Sequence, residues 1–116
     1  MAGQLDPEQD MQRMALRKDA ATAKGAHAFA RLLHLAETSD TGQARRIARF
    51  IASTYNGDAF PLDLYELRAV DEAIGDDMLL CIDAVRWAKA DLHGLVPDGD
   101  RRVRVVIDLW GITWPE

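Results

Sequence analysis

The sequence predicts an all-α domain, a bundle of four to five helices around a central helix at residues 72–92. Three observations carry that reading. From Asp71 to Leu92, Ile74, Met78, Cys81, Ile82, Val85, Ala88 and Leu92 recur at helical spacing, with Leu80, Ala84 and Trp87 on a second face beside them. A helix that is apolar on two faces is expected to be enclosed by others. From Ala44 to Tyr55 the apolar positions 44, 47, 48, 51, 52 and 55 follow a helical stripe without a fault. Finally, the one alternating run, Val103, Val105, Ile107 and Leu109, has no second strand to pair with. A lone strand is not stable by itself. Val103, Val106, Ile107 and Trp110 fit a helix as well, so this run is assigned as one, with Asp100 as its N-cap.

Size and composition agree with a self-sufficient core. The chain has 116 residues, a length that suits one domain. Its apolar content of 48% excludes a disordered chain. The single Cys81 lies in the apolar run from Met78 to Ile82 and is read as a core residue in a reducing compartment. The first residues carry no apolar signal region, and no run approaches the roughly 20 apolar residues of a membrane span. A cytoplasmic protein with no membrane partner is expected.

Taken in order, Asp6-Pro7 is a helix start. The stretch after it is weakly patterned, with Met11, Met14 and Ala15 as its apolar group. Gly25 is expected to break it. That divides the chain into an N-terminal helical extension, 1–25, marginal and frayed by itself, and a helical domain, 26–116. Phe29, Leu32, Leu33 and Ala36 then give an apolar stripe, and Thr38 to Gly42 a connection rich in capping residues. Asn56-Gly57 suits a left-handed turn at the end of the next helix. Asp63 with Glu66 starts a short helix over 64–70. Asp71 caps the central helix, where Glu72, Asp76 and Asp77 oppose the positive end of the helix dipole. His93 to Asp100 is a loop. Gly111 ends the last helix, and Trp114 is expected to fold back over apolar surface.

The chemistry-bearing residues are sparse. His27, Arg31, His34 and Thr38 share one helical face. The histidines stand two turns apart, about 10 Å, with a cation between them, whereas helical metal pairs use a spacing of three or four. No metal site and no cofactor is therefore predicted. Asp76 and Asp77 point about 100° apart and make a poor catalytic pair. No Gly-rich phosphate loop or nucleophile–base set is present, so no catalytic residue is assigned. Two features suit interaction instead. Arg45, Arg46 and Arg49 lie off the apolar face of their helix. The segment from Asp58 to Asp83 holds eight acids and one base, a charge of −7 in a chain of −5 overall, so the remainder is +2. That segment would repel nucleic acid and could instead pair with the arginines.

Leu32-Leu33 with Leu35-Ala36-Glu37, Thr41 to Arg46, Phe60 to Leu64, Val70-Asp71, Asp98-Gly99 and Trp110-Gly111 together resemble a family of unknown function. That family occurs in small proteobacterial proteins often carried on plasmids or integrated elements. The resemblance spans about residues 31–114 and carries no catalytic residues. It implies a small accessory protein acting on a host or element protein.

Three functions follow. The expected one is a non-catalytic protein-binding module, adaptor or inhibitor-like, monomeric or homodimeric. Its candidate interaction residues are Arg45, Arg46, Arg49, Asp76, Asp77 and Trp114. A nucleic-acid-binding regulator using the arginine helix is the alternative, with Arg101, Arg102 and Arg104 if they share its face. A third is an acidic inhibitor of a host defence nuclease, motivated by the −7 segment. An enzyme is not expected.

Overall fold

In the computed structural model, which describes residues 6–114, Pro7–Thr38 form one unbroken helix of 32 residues, α1. Asp6 caps it, its carboxylate accepting from the Gln9 N–H at 2.8 Å. The break expected at Gly25 does not occur. Gly25 is buried, and a methyl group there would run into the Ala84 Cβ and sit 3.1 Å from the Leu80 carbonyl. Its small size lets two helices approach closely; its flexibility is not used.

α2 spans Gly42–Tyr55 and buries Ala44, Ile47, Ala48, Ile51 and Ala52 as the periodicity requires, with Phe50 in addition. The Thr41 hydroxyl caps the Ala44 N–H at 3.2 Å. Asn56 ends this helix in extended geometry, not the left-handed turn expected. Its side-chain oxygen accepts from the Ala59 N–H at 3.1 Å, which turns the chain without positive φ. A 3₁₀ turn at Leu64–Arg68 follows, capped by Asp63.

α3 covers Glu72–Trp87, five residues shorter than the predicted 72–92. Ala88 adopts a left-handed conformation, φ 55°, and its N–H closes on the Ala84 and Val85 carbonyls. The chain then drops into a 3₁₀ turn, Leu92–Leu95, that places Leu92 in the core. Burial along α3 is one-sided. Met78, Cys81 and Ala84 are buried, Ile74 and Ile82 are partly so, and Val85 is 51% exposed. The expected burial of Ile74, Ile82 and Val85 is corrected accordingly. α3 packs chiefly on α1, and the helix that contacts every other one is α1.

α4, Gly99–Leu109, is a helix as assigned, starting after Asp98 and not after Asp100. A methyl group on Gly99 would collide with the His93 carbonyl and the Val96 side chain. Arg102 holds Glu37 with two hydrogen bonds, at 2.9 and 2.7 Å, and the Trp110 indole donates to the Ala36 carbonyl at 2.8 Å. Both lock α4 to the end of α1. The four helices make the all-α fold predicted, with no strand among the described residues. The structure measures 53 × 27 × 26 Å. A helix of α1's length is about 48 Å long, so α1 defines the long axis.

Candidate functional site

α1 carries a regular stripe. Met11, Ala15, Lys18, Thr22, Gly25, Phe29, Leu32 and Ala36 follow one another in alternating steps of four and three, the repeat of helices that pair along a seam. From Thr22 onward the stripe is buried under the other elements. α3 runs antiparallel along it, with Cys81 Sγ 3.8 Å from the Gly25 carbonyl and Arg31 bonded to Asp77 at 3.0 and 2.7 Å. α3 stops at Trp87; the stripe continues. Beyond that point Met11, on the stripe, is 70% exposed, and Met14, beside it, 45%.

Where the seam opens, Met11, Met14, Ala15, Lys18, Asp19 and Trp87 line a shallow concavity of about 440 Å³. Trp87 is half-buried, and the guanidinium groups of Arg17 and Arg86 lie 5.3 and 5.2 Å from its ring centre. Lys89 reaches across to Asp19 at 2.6 Å. The apolar floor thus has a charged rim. Sequence reading missed this site because Met11 and Met14 lie 76 and 73 residues from Trp87 in the chain; the heptad phase of the stripe was the available signal.

The candidate interaction residues are scattered. Arg46 bonds Glu66 at 2.8 Å, so one arginine of the α2 cluster is committed to the acidic segment. Arg45 and Arg49 are exposed and have no ion-pair partner among the described residues. Asp77 is taken by Arg31, and Asp76 is exposed on the other side of a shallow groove with Leu67 and Leu79. Trp114 packs edge-on to Phe60, 4.6 Å between ring centres, and remains 42% exposed. Asp71 does not cap α3 with its side chain; it exchanges two hydrogen bonds with the Gln43 amide, at 3.0 and 2.7 Å, joining the starts of α2 and α3. Much of the acidic segment is therefore spent inside the fold. The α4 arginines are also engaged: Arg101 with Asp98, Arg102 with Glu37, Arg104 with Asp100.

The titratable groups do not assemble a reaction centre. Burial pushes the Cys81 thiol up to about 12, which keeps it protonated and unreactive. The Tyr55 hydroxyl donates to Asp100 at 2.7 Å, with His93 edge-on to its ring at 5.0 Å. That bond raises the phenol above its usual range and, with the Arg104 charge, holds the carboxylate below its own. Both groups stay in their resting states near neutral pH, so the pair acts as a tie between α2 and α4. His27 and His34 are both exposed, and among the described residues no three metal-ligating side chains converge. No described helix is long and apolar enough to cross a membrane.

The fold and this surface define a small all-α domain with one helix standing out beyond its bundle. The chain belongs to the Family of unknown function (DUF7673), whose model matches residues 26–111. No curated protein and no solved structure matches it.

Proposed function

We propose that this chain is a small, non-catalytic protein-binding domain that takes its partner along the open end of the α1–α3 seam. The observation that carries the reading is the continuation of the buried α1 stripe into water beside Trp87. Contiguous exposed apolar surface rimmed by polar groups is characteristic of interaction sites. Tryptophan and arginine are favoured at binding hot spots, and methionine adapts its shape to a partner. The resemblance to plasmid-borne proteobacterial families makes a cytoplasmic accessory role, acting on a host or element protein, the natural setting. The nucleic-acid alternative is left with Arg45 and Arg49 as its unpaired α2 cations, a small footprint for phosphate recognition.

The test is comparative capture from a native-like host with quantitative mass spectrometry, using the whole chain and its Met11→Glu/Met14→Glu variant. Proteins retained by the parent and lost by the variant are expected. Equal retention by both would overturn the assignment. Micromolar binding of duplex or single-stranded probes at low salt, abolished by replacing Arg45, Arg46 and Arg49 with Gln, would promote nucleic acid in its place.

A further inference from the structure

We propose that the groove between α3 and the 3₁₀ turn before it is a second docking surface, and that its occupant is a basic amphipathic helix of a partner protein. One large apolar side chain of that helix seats in the groove, and its lysines or arginines meet the acidic wall. Leu67, Asp71, Glu72, Gly75, Asp76 and Leu79 line the groove, whose volume is about 240 Å³. Gly75 and Trp87 stand 12 positions apart on α3, about 18 Å along its axis, so this surface is separate from the seam opening.

Gly75 is the first argument. After proline, glycine is the least favourable residue inside a helix. Gly25 and Gly99 have a reason in packing, since a methyl group at either would collide with a neighbouring element. At Gly75 a methyl group would come no closer than 3.7 Å to another element, at the Leu67 carbonyl, which is ordinary contact. The chain's own fold has room for a side chain there, and the bare position leaves the groove floor open. Beside it Leu79 is 55% exposed.

Charge is the second argument, and it identifies the occupant. Of the acids in this segment, Glu66, Asp77 and Asp83 are neutralised by Arg46, Arg31 and Arg86. The three in the groove wall are not. Asp71 bonds the neutral Gln43 amide, and Glu72 and Asp76 have no ion-pair partner among the described residues. Arg68, the one base of the segment, lies over the Tyr65 ring, 5.4 Å from its centre. The helix dipole accounts for Glu72 in the first turn but fades before Asp76. Glu72 and Asp76 are one turn apart on the same side of α3, so cations one helical turn apart would meet both. The wall repels phosphates, and an apolar anchor flanked by cations is how a helix is read by a groove.

The experiment is fluorescence anisotropy of labelled peptides titrated with the whole chain. Two peptides of about 15 residues, long enough to begin folding as helices, carry leucine on one face and either lysine or glutamate at the flanking positions. The lysine peptide should bind and the glutamate peptide should not. Glu72→Gln/Asp76→Gln and, separately, Gly75→Leu should each weaken binding by about tenfold or more, the size of one hot-spot contact. Gly75→Leu changes no charge and should keep the helical circular dichroism and melting temperature of the parent, so its loss of binding would not be a loss of fold. Met11→Gln/Met14→Gln should leave the affinity unchanged. No binding of the lysine peptide at about 100 μM overturns the inference, as does equal binding of both peptides, binding that survives either groove variant, or binding that the Met11 and Met14 variant abolishes. The seam reading stands or falls separately, by its own capture test.

Discussion

Along α1, one helix with one repeat meets two environments. From Ala21 to Ala36 its stripe is sealed by α2, α3 and α4, and Phe29, Leu32 and Leu33 are fully buried. From Pro7 to Ala20 the same helix has only Trp87 and the Lys89–Asp19 pair beside it among the described residues. The contrast teaches that periodicity specifies a face and not its partner: the inner half finds its cover within the chain, and among the described residues the outer half does not. The largest expected effect follows directly. Leu32→Ala should destabilise by about 2–5 kcal/mol, the usual cost of emptying a packed site. Leu16→Ala, on the arm, should change stability by less than about 0.5 kcal/mol. Urea unfolding of both variants checks the pair. Equal losses would mean the arm is as much a part of the core as the bundle.

The seam between the halves supplies a smaller effect of unusual sign. Replacing glycine by alanine inside a helix ordinarily gains about 1 kcal/mol. At Gly25 the added methyl would meet the Ala84 Cβ, and overpacking costs about 1–3 kcal/mol. A net loss of up to about 2 kcal/mol is expected for Gly25→Ala, from the difference of those two effects. Adding Ala84→Gly moves the methyl from one helix to the other and should recover part of the loss. Denaturant midpoints of the single and double variants decide it; a stabilised Gly25→Ala would show that α1 and α3 are further apart than described.

What could be read from the sequence divides along similar lines. The all-α class, the α2 stripe and the helical character of the last element were legible, because helical spacing and caps are local. The end of α3 was not, because its apolar pattern runs on to Leu92 while the chain turns at Ala88 through a left-handed residue with no glycine to announce it. The role of Gly25 was misread for a related reason. Close approach involves a residue 59 positions away, Ala84, which no local pattern names. Of the candidate site residues, Arg46 and Asp77 are identified as ion-paired by geometry alone, and the opening beside Trp87 is formed by two segments the sequence keeps apart.

The far end of α1 allows a comparison by pH. Glu37 is held below its usual carboxylate range, first by the hydrogen bonds from Arg102 and then by the charges around it. A carboxylate depressed in the folded state stabilises fully above its unfolded value, and that contribution fades as pH falls through the folded one. Glu37→Gln should therefore lower stability near neutral pH and have a diminishing effect on acidification, below the ordinary carboxylate range. About 1–2 kcal/mol is expected, under the roughly 1.5–3 kcal/mol of a bond to a charged group, because about a quarter of each side chain remains in water. Melting curves across the acid range measure it. On the arm, the Asp10–Arg13 pair at 3.1 Å is half exposed, and Asp10→Asn should change stability by no more than about 0–1 kcal/mol.

The smallest effect is expected on α2, and it separates the arginines from one another. Arg46 reaches Glu66, whose side chain is largely covered, while Arg45 and Arg49 stand in water. Replacing Arg45 and Arg49 together with Gln removes two charges that touch no described acid, and glutamine is nearly as good a helix former as arginine. A change within about 0.5 kcal/mol follows. Arg46→Gln removes one partly exposed ion pair, a contribution of about 0–1 kcal/mol, and leaves Glu66 free to rehydrate at its open edge. Stability should therefore fall slightly with Arg46→Gln and not with the double variant. That difference should shrink in high salt, since screening weakens the pair and leaves nothing to weaken at the other two sites. If instead the double variant proves the more damaging, Arg45 and Arg49 are held by contacts other than those described, and the α2 face is part of the fold and not a solvated surface.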